Sequence, residues 1–170
     1  MPFLDRPRVQ QLPDGRWSLL EDLVYRGRRD TWTVPAGFTS DFASVPAAAR
    51  WLIPADGPWT AAAIVHDWFC DVGIAAGQIT SRDADGVFRR LARELGTPRL
   101  RQWLLWAGVR WGALINPRRR AGVARDLPAA AAISLLAAPL VVPVSVIVGL
   151  GLLLEQLVEL VVDTAAGGRR

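Results

Sequence analysis

His66 is the only histidine in the chain, and it stands among carboxylates. Asp67 follows it directly, inside an Ala-rich apolar segment. Asp41 and Ser44 lie upstream in a turn-like stretch, and Asp83 and Asp85 open the segment SRDADGVF downstream. Successive side chains on a helix diverge by about 100°, so Asp67 is poorly placed to orient the His66 ring. Asp85 is better placed. Residues 61–72 and 82–95 read as two helices joined through a loop over residues 71–80. An antiparallel return brings Asp85 to the height of His66. A histidine held by a carboxylate can take a proton from water, which is general-base chemistry. Asp67, free of the orienting task, could ligate a hard cation such as Ca2+ together with Asp41 and backbone carbonyls. Ser44 and Asp83 complete the candidate site. The plainer alternative makes His66 a core histidine with one hydrogen-bond partner, and Asp41 and Asp83 turn or cap residues.

The elements that must position these residues follow from local pattern. Residues 1–14, with Pro2, Pro7 and Pro13, read as an irregular lead-in. Residues 15–25 read as a strand, Arg26-Gly27-Arg28 as a hairpin turn, and Thr31-Trp32-Thr33-Val34 as the returning strand. Residues 38–58 read as loop with one helical turn near 47–52. Thr60 is a candidate cap for the first helix and Ser81 for the second, and Gly96 and Pro98 stop the second. A third helix, residues 99–114, carries Trp103, Trp106 and Trp111 with Arg99, Arg101 and Arg110. The expected fold is α+β: an N-terminal β-hairpin packed on about three helices, in a domain over residues 1–125.

Residues 126–170 differ in character. The 170-residue chain has 20 basic side chains, all arginine. Residues 1–125 hold 18 of them against 12 acids, and residues 126–170 hold 2 against 4. The basic excess is scattered rather than clustered, which argues against nucleic acid as a partner. Cys70 is the sole cysteine, so no internal disulfide can form. The N-terminal stretch MPFLDRPRVQQLPDG has no apolar core of a cleavable signal. Residues 127–154 are 28 in a row without a charge, more than enough to cross the roughly 30 Å of bilayer hydrocarbon. Pro139 and Pro143 interrupt this run. One expectation is a single kinked span. The other is a short apolar piece to residue 138, then a helix over residues 144–164 with Glu155, Glu159 and Asp163 as an acidic stripe. A hairpin buried in a soluble protein is the third. The arginines Arg118–Arg120 and Arg125 flank the apolar run, so the positive-inside bias puts the His66 domain on the cytoplasmic side of a membrane.

The pattern V-P-x-G-F-x-S-D-F-A-S-V-P, then A-A-x-x-H-D, then A-D-x-x-F resembles a phage and prophage family known as domain of unknown function 1353. Here it is carried by Gly37, Asp41, Ser44, Pro46, His66, Asp67, Asp85 and Phe88. The resemblance covers about residues 17–112 and implies a phage or prophage source without an established activity. Within it, H-D on one helix and A-D-x-x-F on the next is similar to secreted and viral phospholipases A2. That likeness implies His66 as base, Asp67 as calcium ligand and Asp85 as the carboxylate orienting the histidine. The chain departs from that pattern in three ways. Cys70 stands four residues after the histidine where those enzymes usually carry tyrosine. Their glycine-rich calcium loop is not recognisable, and their disulfides are absent.

Two functions of different classes follow. One is a membrane-anchored hydrolase acting on lipid esters through a His66–Asp85 dyad. The other is a non-catalytic phage envelope or lysis-accessory protein that binds a phage or host envelope partner.

Overall fold

The structure is a computed structural model describing residues 3, 6–27, 30–42 and 45–167. Five short strands precede four helices. The strands are β1 (Val9–Gln11), β2 (Trp17–Leu19), β3 (Leu23–Arg26), β4 (Thr31–Val34) and β5 (Thr39–Ser40). The helices are α1 (Thr60–Trp68), α2 (Ser81–Glu94), α3 (Arg99–Ile115) and α4 (Leu127–Gly167). The α+β class is as expected, and every strand pairing is antiparallel.

The hairpin is β3–β4, with Leu23 opposite Val34 and Arg26 opposite Thr31. Residues 15–25 do not form one strand. The chain breaks between Leu19 and Leu23, so Trp17–Leu19 belongs to a separate three-stranded sheet ordered β1-β2-β5. The supposed irregular lead-in supplies β1, and the supposed loop after residue 38 supplies β5. Neither strand has a hydrophobic alternation of its own, because each is held by pairing to β2 (Val9 opposite Leu19, Ser40 opposite Trp17). Gly37 turns the chain from β4 into β5 with φ +82°, a left-handed conformation that suits glycine. Its N–H donates to the Leu19 carbonyl at 2.8 Å.

Helix α1 is the centre of the core. Ala61, Ala62, Ala63, Ile64, Val65, His66 and Trp68 are all buried, the mark of a helix surrounded on every side. Its alanines let neighbours approach closely. The chain continues from α1 through a π-helical turn, Phe69–Gly73, that carries Cys70. Thr60 is the first residue of the helix rather than its cap; its hydroxyl accepts the Gly57 N–H at 2.9 Å. Likewise Thr80, not Ser81, caps α2, accepting the Asp83 N–H at 3.1 Å. Helix α2 turns Ala84, Asp85, Phe88, Leu91 and Ala92 inward. Tyr25, from the hairpin, accepts a hydrogen bond from Arg90 of α2 at 2.9 Å and so ties the sheet to the helices.

Helix α4 is continuous through Pro139 and Pro143, so the division into two pieces does not occur. The two prolines are four residues apart and both exposed. They therefore lie on one face, and the backbone bonds they remove are lost on that face alone. At about 1.5 Å per residue the helix is about 60 Å long. Its first part packs on α3 and on the 3-10 turn Ala47–Ala49. Ala130 and Ala137 are buried there. Trp111 donates to the Ser134 hydroxyl at 3.1 Å, and Trp51 to the Ser145 hydroxyl at 3.2 Å. The outer face, and all of residues 153–167, is exposed and includes Leu135, Leu136, Leu140, Ile147, Leu150 and Leu154. This helix is long and apolar enough to cross a membrane.

Candidate functional site

The α1–α2 pair runs as the loop length required, and it joins His66 to Asp85. His66 Nε2 lies 2.7 Å from Asp85 Oδ1. The two residues are 5% and 0% exposed. Phe88, one turn beyond Asp85, sets its ring 4.9 Å from the imidazole.

Asp85 has two further partners. Arg110 of α3 donates to Oδ2 at 2.6 Å, and Arg119, in the loop after α3, donates to Oδ1 at 2.5 Å. Arg110 is fully buried and Arg119 is 7% exposed. Arg119 is thus not part of a solvated basic flank with Arg118 and Arg120; it is turned into the protein. Behind Arg110, Asp126 receives both Arg110 Nη2 at 3.6 Å and Arg82 Nε at 3.0 Å. Lone arginine positions in a helical pattern carry no mark that they face inward. The available signal is that a buried carboxylate requires cationic or hydrogen-bonding partners.

With two guanidinium groups donating to it, Asp85 serves as an acceptor toward the imidazole as well. The neutral ring therefore carries its proton on Nε2, and the lone pair is on Nδ1. That nitrogen lies 3.9 Å from Asp67 Oδ1. Burial works against a charged imidazole, but hydrogen bonding to Asp67 and Asp85 outweighs it and raises the His66 pKa well above its ordinary value. Burial likewise raises the pKa of Asp67, opposed by His66 and Ser40 and assisted by nearby Asp41.

Asp67 is held from the sheet side. Ser40, in β5, donates to Asp67 Oδ2 at 2.5 Å, and the Ser40 hydroxyl accepts the Phe42 N–H at 2.9 Å. Phe42 has φ +66°, a left-handed conformation that costs a bulky residue energy. Its ring stacks on Trp17 at 5.3 Å. Strain at Phe42 and pairing of β5 thus place Ser40 against the site, a role that short polar β5 did not announce.

A cavity of about 540 Å³ opens on this group. His66, Asp67, Cys70 and Arg119 contribute its polar wall; Leu104, Gly108 and Gly112 of α3 are among its apolar lining. Cys70 Sγ is 3.9 Å from Nδ1 and 3.7 Å from Nε2 of His66. Nearly equal distances put the sulfur beside the ring rather than in line with either lone pair. Asp41 is exposed and lines a neighbouring cavity, with Trp17, Arg50 and Asp56, rather than this one. Phe42 lines both. Asp83 is exposed and engaged in the α2 cap, where its carboxylate accepts the Thr80 hydroxyl at 2.6 Å. Ser44 lies outside the described residues.

Ca2+ takes six to eight oxygens. Among the described residues no group of three His, Cys, Asp or Glu side chains is arranged to hold a metal. Asp67 is already bonded to Ser40, and Asp41 faces the other cavity. Asp67 and Asp41 thus line different cavities, with Phe42 between them on both walls.

The family model described as "Protein of unknown function (DUF1353)" matches residues 17–109. The match takes in more than half of the chain, and the chain belongs to that family. It includes Ser40, His66, Asp67, Cys70 and Asp85, and it stops short of Arg110, Arg119 and α4. Neither the comparison with curated proteins nor that with solved structures gave a match.

Proposed function

For this member of the DUF1353 family we propose a membrane-anchored hydrolase of lipid esters, with His66 as general base and Asp85 as the residue that positions it. The observation that carries the reading is the 2.7 Å contact of His66 Nε2 with buried Asp85, beside a cavity whose other wall is apolar. An ester carbonyl in the cavity is attacked by a water whose proton passes to Nδ1. The tetrahedral intermediate collapses with cleavage of the carbon–oxygen bond to the alcohol. The imidazolium returns its proton to the departing alkoxide, leaving an alcohol and a carboxylic acid, which gives its remaining proton to solvent and becomes the carboxylate. Positioned acid–base catalysis of this kind contributes about 10²–10⁴-fold.

Helix α4 supports the location. Its outer face is apolar over residues 135–154, while α3 and the 3-10 turn, both of which line the cavity, pack on its inner face. A bilayer against that outer face brings the cavity to the membrane surface. Trp103 and Trp111 of α3, and Trp51 just after the 3-10 turn, are exposed and suit the headgroup level. Arg118, Arg120 and Arg125 are exposed before α4, which favours the cytoplasmic side for the domain.

A second reading has its own observation. Arg110, Arg119, Asp85 and Asp126 form a buried ionic cluster, joined at its edge by exposed Arg82, an arrangement that also serves structure alone. On that reading the protein is a non-catalytic phage envelope or lysis-accessory protein that binds a phage or host partner. Hydrolysis of phosphatidylcholine vesicles and of a soluble short-chain ester by full-length wild type and His66→Ala separates the two. Turnover lost in the variant supports the hydrolase, and a folded wild type with no turnover on either substrate supports the binding protein.

A further inference from the structure

Arg119 has a free capacity that its role beside Asp85 does not use. Its Nη2 donates to Asp85 and, at 3.4 Å, to the Val109 carbonyl, and lies 3.5 Å from His66 Nε2. Its Nε is buried without a hydrogen-bond partner among the described residues. The side chain is more than nine-tenths buried and lines the cavity. Behind it, Arg110 shares Asp85 with Arg119 and shares Asp126 with the exposed Arg82. Asp67 is on the other side of the imidazole, beside Nδ1, and is tied to Ser40. A largely buried guanidinium in a cavity wall favours an anionic oxygen.

The rest of the wall has a different chemistry. Gly108 and Gly112 are four apart on α3, so they share one face. A Cβ added at either would meet nothing within 4 Å. Together with Leu104, Leu105 and Ile53 they leave a smooth apolar surface. The volume falls within the range of small-molecule pockets.

We infer that the cavity takes a single-chain amphiphile whose anionic oxygen, carboxylate or phosphate, is received by Arg119 while its alkyl chain lies along Gly108 and Gly112. The inference rests on the hydrolase reading for its biological sense, since cleavage of a lipid ester leaves such a carboxylate. Binding itself does not require turnover.

The test is calorimetric titration of the full-length protein in lipid nanodiscs with hexyl phosphate, hexanol and inorganic phosphate. Hexyl phosphate should bind at least tenfold more tightly than either of the others, which separates an amphiphile from a free anion. Gly108→Leu, which leaves the ionic cluster untouched, should weaken hexyl phosphate at least tenfold without changing the melting temperature. Arg119→Lys should reduce the preference for phosphate over hexanol. Equal binding of hexyl phosphate and hexanol, equal binding of inorganic phosphate, or indifference to Gly108→Leu would each overturn the inference. Retained binding in a wild type that hydrolyses nothing would uphold it while removing the hydrolase reading.

Discussion

His66 Nε2 and Asp85 Oδ1 are 2.7 Å apart across the α1–α2 interface, on residues separated by 19 positions in the chain. The contact fixes which ring nitrogen is the base, because Nε2 is committed to Asp85 and Nδ1 is left on the Asp67 side. It also sets what each substitution does.

His66→Ala should cost little stability. Asp85 keeps Arg110 and Arg119 as donors, so no charge is stranded, and the expected loss is about 1–3 kcal/mol. Denaturation of wild type and variant in the same nanodiscs checks this. A loss well above that range would make His66 a structural keystone and weaken its catalytic assignment.

Asp85→Asn should behave differently. It leaves two buried guanidinium groups facing a neutral amide, and breaking a buried ion pair costs about 3–5 kcal/mol. The variant should melt far below His66→Ala. If Asp85→Asn is the more stable of the two, the arginine clamp does not operate as described.

The pH dependence follows from the raised His66 pKa. Its protonated form is favoured by folding, so the stability it adds is fully present below about pH 6.5 and is lost as pH rises through the higher folded value. A general base needs the neutral ring, so turnover should rise over that same alkaline interval. Asp67→Asn removes one of the groups that raise the pKa and should move the rising limb to lower pH. A limb that does not move would dissociate it from His66.

Cys70 lines the cavity without being aligned for proton exchange with His66. Cys70→Ala should retain turnover within about threefold of wild type, a small change beside the contribution of an acid–base group. Alkylation of wild type with iodoacetamide should abolish turnover by filling the cavity, and the alanine variant should resist it. Loss of activity in Cys70→Ala itself would make the thiol a nucleophile. Chelation with EDTA should leave the rate unchanged, whereas a loss reversed by Ca2+ would bring Asp67 and Asp41 back as ligands.

Much of this arrangement was legible from local chemistry. The loop length and helix phases paired His66 with Asp85, and Gly96 stopped α2 where it stands. The strands β1 and β5 were not legible, since they exist only by pairing with β2, and with β5 went Ser40. Arg110 and Arg119 were not legible either. One sits in a helix rich in tryptophan and the other in a run of three arginines, where solvent exposure is the ordinary expectation. Pro139 and Pro143 pointed to a break in α4. The helix tolerates them because both fall on its exposed face, while Ser134 and Ser145 are bonded to the domain on the other.

The packing of α4 changes where a soluble fragment can end. Truncation after Arg125 removes Asp126, the partner of Arg82 and Arg110, and uncovers α3. Such a fragment should be unstable. Truncation after Gly151 keeps the packed part of α4 together with most of its apolar outer face, so it should preserve both the fold and membrane association, as judged by thermal melting and vesicle flotation. A stable, monomeric fragment ending at Arg125 would count against the packing.

The most direct measurement is the rate of fatty-acid release from phosphatidylcholine vesicles by full-length protein, as a function of pH, for wild type and His66→Ala at matched folded fraction. Turnover in wild type should rise above about pH 6.5, as the neutral His66 ring forms, and should be lower by about 10²–10⁴-fold in the variant. A variant as active as wild type, or a folded wild type that releases no fatty acid at any pH, would contradict it.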